Sequence, residues 1–505
     1  MELAERIRAV LAIDPDADAI QYQGSWQSWG ELGAIADAVD AALDAMGCGA
    51  DTRVGMLLRN HPDMVGAMLG VVSGHRCIVT LNPHQGDTKL ADELRALGLP
   101  VVVGLETELA RPGVRAALDE LGVAAIAVRG GDGALASRLP GLERVVRGDA
   151  DARRPGVAVE MLTSGTTGPP KRIPLAYAAF ERTIGAAGMH YRTPGGGGDQ
   201  RDEPRLRSGV AIVNAPFVHM SGIFRTLLNV CEGRRVVLLD RFTIDDWVAV
   251  VREHRPRAVS LVPATLRMVL DADVDPEDLA SIEVVTSGSA ALDPGVQRAF
   301  EERYGIAVLP SYGATEFAGG VAGWTMPLHR EWAGTKLGSV GRPQPGRALR
   351  VVDPETGTEL PVDAAGLLEV GSTTGDEWVR TTDLARVDAD GFLWVLGRTD
   401  DAILRGGFKV FPGDIATALR AHPAVRECGV TGIPDERLGA VPVAAVELVD
   451  GASTTGEELM AFAREQLTSY QVPREIRVVD ALPRTPSMKV SAPGVAALFG
   501  APAGG

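Results

Sequence analysis

Leu162-Thr163-Ser164-Gly165-Thr166-Thr167-Gly168-Pro169-Pro170-Lys171 gathers hydroxyls and glycines and closes on a lysine. Thr163, Ser164, Thr166 and Thr167 supply hydroxyl donors, and Lys171 adds a full positive charge. Gly165 and Gly168 carry no side chain, so backbone N–H groups can turn toward an anion. This is chemistry for a polyphosphate. It is not the Walker loop, because a glycine, four residues and then Gly-Lys-Ser/Thr cannot be laid onto it. The apolar run Val157 to Leu162 predicts a strand feeding the loop, and Ala176 to Gly188 has helical composition.

Working outward, the same alternation recurs. Asp63 to Val72 and Lys89 to Leu97 read as helices, and Arg76 to Leu81 and Pro100 to Val103 as strands, which argues for an α/β layer. The lone histidines of this part, His61, His75 and His84, read as structural. Thr193 to Ser208 contains four consecutive glycines and reads as a surface loop. From Arg235 strands and helices alternate: Val236 to Leu239, Ile244 to His254, Ala258 to Val262, Thr265 to Leu270, Ile282 to Thr286, Gly295 to Tyr304 and Ala307 to Leu309. That spacing predicts a largely parallel sheet with right-handed crossovers, whose ligands collect beyond the carboxyl ends of the strands. The Gly/Ser-rich stretches Ser287 to Ala290 and Ser311 to Glu316 are expected there as turns. Residues 338 to 397 are glycine-punctuated and strand-rich, as in a small β domain. The expected architecture is therefore α/β: a large N-terminal domain of layered sheets plus a small β domain (1–399), then a small mobile α+β cap (400–505).

Composition narrows the function. The chain has 505 residues and a formal charge of -16, which argues against a nucleic-acid surface. Its 4 cysteines are scattered, without metal-ligand spacing or a disulfide framework. The start Met1-Glu2-Leu3-Ala4-Glu5 is unlike a signal peptide, and no apolar run is long enough to span a bilayer. A cytoplasmic enzyme is expected.

The phosphate loop resembles the signature loop of the adenylate-forming superfamily, which comprises acyl-CoA ligases, peptide-synthetase adenylation domains and firefly-type luciferases. Further segments follow in that family's order. Ser311-Tyr312-Gly313-Ala314-Thr315-Glu316 resembles its Tyr-Gly-x-Thr-Glu motif. The resemblance implies adenine on Tyr312 and Gly313, the α-phosphate on Thr315, Mg²⁺ on Glu316, and a further nucleotide contact at Ser289. Arg380-Thr381-Thr382-Asp383-Leu384 resembles the Thr-Gly-Asp motif; Asp383 would hold the ribose hydroxyls and Arg398 ribose or phosphate. Asp400 matches the hinge between two half-reactions. Pro483 to Lys489 resembles the C-terminal lysine motif, so Lys489 would serve adenylation. A unit charge about 4 Å from developing charge contributes roughly 4 kcal/mol at an effective dielectric near 20, about a thousandfold in rate.

Pro216 to Gly222 resembles the acyl-pocket segment of CoA ligases, with Phe217 lining the pocket and His219 as its gate. No aspartate stands there for an α-ammonium, and Gly288, Ala290 and Ala314 are small, so a hydrophobic, bulky acid is implied. Leu404 to Lys409 resembles the loop where pantetheine enters, past Gly406, Gly407 and Phe408. The resemblance thus implies an acyl-CoA ligase using ATP, Mg²⁺ and coenzyme A, with a small-molecule acid and CoA as partners. It names no nucleic acid and no membrane span, and is compatible with a homodimer.

Three positions that are glycine in the family are not glycine here: Arg172, Thr382 and Met488. Arg172 would place a guanidinium where pyrophosphate must pass, and Met488 would misplace Lys489. A side chain in a left-handed glycine conformation adds about 1–2 kcal/mol. Two alternatives follow: a protein that only transfers the acyl group of a preformed acyl-AMP to CoA, served by a separate adenylating enzyme, and a non-catalytic nucleotide-binding homologue. A luciferase-like oxidative enzyme is a third class, which nothing in the residues favours.

Overall fold

The computed structural model describes residues 2–500 except 130–133, 144, 146–152, 163–171, 191–202, 374, 376, 400, 407 and 486–487, with backbone alone at 186–190 and 409. The chain forms two compact units, the first ending at Ala333 and the second beginning at Gly334.

In the first unit a seven-stranded sheet runs, among the described residues, in the order Ala136–Arg138, Ala124–Val128, Val101–Leu105, Arg53–Leu57, Cys77–Leu81, Val157–Leu162, Arg172–Ala176. Its central strands are parallel and buried along their whole length, which is why they read as unbroken Val, Ile and Ala runs rather than as alternation. The helix Pro62–Ser73 is buried at every residue. It crosses the helix Trp29–Ala45 so closely that a Cβ on Gly70 would sit 2.4 Å from the Ala36 carbonyl oxygen. Glycine there is a packing requirement. His61 caps this helix, its Nδ1 accepting from the Asp63 N–H at 3.2 Å, so the structural reading of that histidine holds.

A second sheet contains Arg207–Val213, Arg234–Leu238, Asp18–Tyr22 and Ser25–Ser28. The strand read at Val236 to Leu239 belongs here, paired in parallel with the N-terminal strand (Ile20 opposite Val236), and not with the strands that follow it in sequence. Local alternation carries no information about a partner two hundred residues away, so the pairing was invisible in the sequence.

The third group is the expected parallel run: Ala258–Ser260, Val284–Ser287 and Ala307–Ala314. Helices Ile244–His254, Pro263–Asp271 and Pro294–Tyr304 bury Trp247, Val251, Leu266, Val269 and Phe300 with Val259, Val285 and Val308 of these strands. Thr243 and Asp293 cap two of the helices through their side chains. One expectation fails here. Ser311 to Ala314 is not a turn but continues the strand, and Gly319–Gly323 returns antiparallel beside it. Only Thr315–Phe317 turns, as a single 3-10 turn. The cross-strand hydrogen bonds to Gly319–Gly323 override the Gly/Ser turn signal.

The second unit holds an antiparallel sheet of Arg347–Val352, Gly366–Ser372, Trp378–Val387 and Leu393–Arg398. Ile403–Arg405, Phe408–Val410, Val425–Asp435, Gly439–Leu448 and Ile476–Val478 form another sheet, with helices Pro412–Arg420, Gly456–Gln466 and Ala492–Leu498. The chain changes sheets between Arg398 and Ile403, around position 400. Among the described residues no helix is long and apolar enough to cross a membrane.

Candidate active site

The phosphate-loop residues Thr163, Ser164, Gly165, Thr166, Thr167, Gly168 and Lys171 lie outside the described residues, as do Asp400 and Gly407. The strands on either side of the loop are described. Val157–Leu162 and Arg172–Ala176 pair antiparallel, with Leu162 opposite Arg172. A buried ionic network fixes the entering strand: the Glu160 carboxylate accepts from Arg53 Nε at 3.0 Å and Nη2 at 2.8 Å, and from Arg154 Nε at 2.8 Å. Glu160 is 5% exposed, so its charge is tolerated only because both arginines answer it.

Arg172 overturns an expectation. Its guanidinium is turned onto the sheet, pairing with Glu93 and donating to the carbonyl oxygens of Thr80 at 2.9 Å and Glu160 at 3.3 Å. It is committed to these partners. Its backbone is an ordinary strand rather than left-handed, so no strain attaches to the missing glycine. The cause is Glu93, on the helix Asp87–Leu97, far away in sequence and close in space.

Tyr312 and Gly313 end the last parallel strand and deliver Thr315 and Glu316 into the turn. A Cβ on Gly313 would lie 2.4 Å from the Gly319 carbonyl oxygen, so the returning strand requires glycine there. On the neighbouring strand end, a Cβ on Gly288 would lie 2.7 Å from Ser311 Oγ, whose hydroxyl donates to the Ser287 carbonyl at 3.2 Å. Ser289 adopts a left-handed φ of 69°, uncommon for a residue with a side chain and typical of ligand-binding turns. Ser289 and Ala290 are exposed and Ala314 half-buried. The Glu316 carboxylate is exposed and makes no hydrogen bond or ion pair among the described residues. Such an oxygen ligand fits Mg²⁺. The described residues contain no cluster of three or more His, Cys, Asp or Glu side chains that could hold a metal ion.

His219 caps the helix Met220–Cys231 and is placed by the turn that precedes it. Phe217 is different. It is fully buried, and its N–H donates to the Asn60 side chain at 2.9 Å. Asn60 in turn donates to the carbonyls of Ala215 and Leu239 at 3.1 and 3.0 Å. Phe217 therefore belongs to the core that holds the segment, and Asn60 is a positioning residue the sequence did not reveal.

In the second unit Asp383 stands opposite Arg398 in adjacent strands, Nε to Oδ1 3.9 Å. The Thr381 hydroxyl donates to the Leu368 carbonyl at 2.9 Å and accepts from the Asp383 N–H at 3.1 Å, which fixes the aspartate's backbone. Thr382, the second lost glycine, accepts from Arg398 Nη2 at 2.7 Å. Thr399 donates its N–H and its hydroxyl to the Thr382 carbonyl at 2.8 and 3.0 Å. The threonine thus supplies an acceptor that glycine lacks. Gly406 has φ 57° and donates its N–H to the Leu438 carbonyl at 2.8 Å. Phe408 is half-exposed and stacks on Tyr470 at 4.8 Å.

Lys489 follows a tight turn. Met488 N–H donates to the Thr485 carbonyl at 2.8 Å, and Thr485 N–H to the Lys489 carbonyl at 2.8 Å. Met488 has φ 64°, the left-handed conformation glycine favours, so the third substitution does introduce strain. Lys489 keeps solvent contact along its length, yet the protein around its ammonium, and secondly the charge of Arg398, lower its pKa below the ordinary lysine value.

Residues 7–375 match the family model described as AMP-binding enzyme, and residues 414–489 the model of the AMP-binding enzyme C-terminal domain. The chain belongs to the AMP-binding enzyme family. Its members here are adenylate-forming enzymes, and the mixed α/β fold with a small C-terminal domain is theirs. The two family models leave position 400 between them. The chain is similar to rice 4-coumarate--CoA ligase 3, 28% identical over 491 residues and covering 92% of this chain and 86% of that protein. It is similar also to the 2-succinylbenzoate--CoA ligase of Bacillus pumilus, 28% identical over 504 residues with 95% and 94% covered. Among solved structures it resembles ATP-bound MatB from Rhodopseudomonas palustris, 25% identical with a TM-score of 0.80 and 97% of each chain covered.

Proposed function

We propose that this AMP-binding enzyme is an AMP-forming acid–thiol ligase that joins a small carboxylic acid to coenzyme A. The observation that carries the reading is the strand end Tyr312-Gly313-Ala314-Thr315-Glu316. It places an aromatic face, a bare backbone, a hydroxyl and an exposed carboxylate at the carboxyl edge of a parallel sheet. That is a nucleotide and metal set in one short segment. The named relatives, CoA ligases for coumarate and succinylbenzoate, support the acceptor.

In the first step the acid's carboxylate oxygen attacks the α-phosphorus of ATP, and pyrophosphate leaves. Thr315 donates to the α-phosphate, Tyr312 stacks on the base, and Asp383 accepts from the ribose hydroxyls with Arg398 beside it. Mg²⁺, when bound at Glu316, supplies charge neutralisation on the phosphates. The Lys489 ammonium stabilises the developing negative charge. In the second step the CoA sulfur attacks the carbonyl carbon of the mixed anhydride, AMP leaves and the thioester forms. Gly406, Gly407 and Phe408 line the route of the thiol arm, with Asp400 as the pivot of residues 400–505 and His219 as the gate of the acyl site. Both co-substrates belong to the cytoplasm, where we place the enzyme. Catalysis is mostly positioning and electrostatics.

Met488 favours a second reading: with Lys489 set on a strained turn, adenylation is slow and the protein works chiefly on preformed acyl-adenylate. Arg172 lends that reading no support. The test is a panel of aliphatic and aromatic acids, each offered free with ATP, Mg²⁺ and CoA, and as its synthetic adenylate with CoA. Thioester from the free acids supports the full ligase, and thioester from the adenylates alone supports the second reading. No thioester from either, with nucleotide still bound, leaves a nucleotide-binding protein.

A further inference from the structure

The strand Gly439–Leu448 is buried without a break from Val441 to Glu447. All but the last of those residues are Val, Ala or Pro; the last is a carboxylate, 4% exposed. A charge in such a place needs partners. Arg426 supplies one, its Nη2 donating to Oε2 at 3.3 Å. Two more lie on the segment that carries Lys489: the Leu482 N–H donates to Oε1, and the Arg484 guanidinium stands 3.6 Å from Oε2.

Arg484 then reaches forward. Its Nη1 donates to the Met488 carbonyl at 3.2 Å, and its backbone pairs with Val490 as an isolated antiparallel bridge. Within that clasp lie the turn hydrogen bonds of Thr485, Met488 and Lys489, to which the Lys489 N–H adds a bond to Thr485 Oγ1 at 3.2 Å. Past the clasp, Val490 packs against the strand Val425–Asp435, where a Cβ on Gly429 would lie 2.7 Å from Val490 Cγ1. Lys489 is exposed, so its place is set by the backbone it stands on. That backbone follows the left-handed Met488, a conformation that a side chain disfavours. A hydrogen bond from a charged donor is among the stronger kinds and is of the size needed to offset that strain. A guanidinium already held by a buried carboxylate gives such a bond with little further loss of side-chain freedom.

We propose that Glu447 and Arg484 are positioning residues of the adenylation half-reaction: the buried carboxylate holds the Arg484 guanidinium, which clamps the Met488 carbonyl and so fixes the backbone from which Lys489 reaches. The inference rests on the ligase reading above and on the part that reading gives to Lys489.

The test compares the full chain with Arg484→Met and Arg484→Lys, each with and without Met488→Gly, using the best acid of the panel above. Arg484→Met leaves Glu447 with Arg426 and the Leu482 N–H, so the variant stays folded, which its thermal midpoint checks. In Arg484→Met the kcat of acid-dependent ATP–pyrophosphate exchange falls at least about tenfold with the KM for ATP little changed, while synthetic acyl-adenylate and CoA still give thioester. Hydrogen exchange of the Thr485, Met488 and Lys489 amides speeds up, Arg484→Lys falls between, and Met488→Gly shrinks the loss because glycine needs no clamp. Glu447→Gln keeps an acceptor for the Leu482 N–H without the charge and shifts the balance the same way. Both half-reactions lost in equal measure, or the three amides exchanging as in the parent protein, overturn the proposal and leave the ligase reading standing. A loss in Arg484→Met that Met488→Gly does not reduce overturns it equally. A parent protein that makes thioester from adenylates but shows no pyrophosphate exchange has no adenylation to position, which also overturns it. A parent protein silent in both assays fails the ligase reading itself, and the proposal with it.

Discussion

Met488→Gly isolates the one lost glycine whose conformation is left-handed. A side chain at φ 64° carries about 1–2 kcal/mol of backbone strain. Glycine removes that strain but also frees the unfolded chain, which offsets about 0.5–1 kcal/mol. The net expectation is a gain of about 0.5–1 kcal/mol in the second unit, or a midpoint about 1–4 °C higher for a unit of roughly 170 residues. Met488→Ala is the control, since it removes the side-chain bulk and keeps the Cβ that causes the strain; its midpoint stays near that of the unmutated protein. The turn also sets Lys489 through the Thr485–Lys489 hydrogen bond, so relaxing it has a catalytic readout. Each 1 kcal/mol that strain takes from the productive turn lowers adenylation about fivefold. Acid-dependent ATP–pyrophosphate exchange should therefore rise by up to about that factor in Met488→Gly and not in Met488→Ala. Equal gains in the two variants would assign the effect to bulk and refute the strain argument. A stabilised Met488→Gly with unchanged exchange would show that the turn does not limit Lys489.

Arg172→Gly should behave oppositely: it strands Glu93, lowers stability by about 2–3 kcal/mol in denaturant unfolding and does not raise exchange, so a faster exchange with stability retained would restore the blocking role. Lys489→Met should lose pyrophosphate exchange while acyl-adenylate and CoA still give thioester. Because the folded state lowers the pKa of Lys489, the protonated lysine is penalised below that value and released as pH rises toward 10.5. The same variant is thus expected to unfold at a slightly higher temperature at neutral pH, with the gain shrinking in alkali, and adenylation by the parent should fall off at a pH below the usual lysine range. Thr382→Val removes the 2.7 Å acceptor of Arg398 at an exposed site, so the KM for ATP should rise about two- to fivefold with kcat little changed, and Thr382→Ser should restore it.

Much of the architecture was legible because it is written in local patterns. Ile244–His254 and Val157–Leu162 carry their period and composition within their own residues, and both fall where the sequence put them. Sheet partners were not legible. Asp18–Tyr22 pairs with Arg234–Leu238 across most of the first unit, and Ser311 to Ala314 is a strand only because Gly319–Gly323 lies against it. The site divides in the same way. Tyr312, Thr315, Glu316, Asp383 and Lys489 are proposed from order and spacing, whereas Asn60 belongs to no local motif. It acts through its contact with Phe217, 157 residues away.

The sequence by itself determined the chemical inventory: a hydroxyl- and glycine-rich loop closed by a lysine, an aromatic–hydroxyl–carboxylate segment, an aspartate–arginine pair and a late lysine, because the functions proposed for them need particular atoms in a particular local order. Only the tertiary structure decided what the three replaced glycines mean. Glu93 draws Arg172 onto the sheet, Arg398 turns the Thr382 hydroxyl into an acceptor, and the turn before Lys489 holds Met488 left-handed. The physical reason is that a substitution's effect depends on φ and on the nearest partner, and both are set by residues the local sequence does not contain.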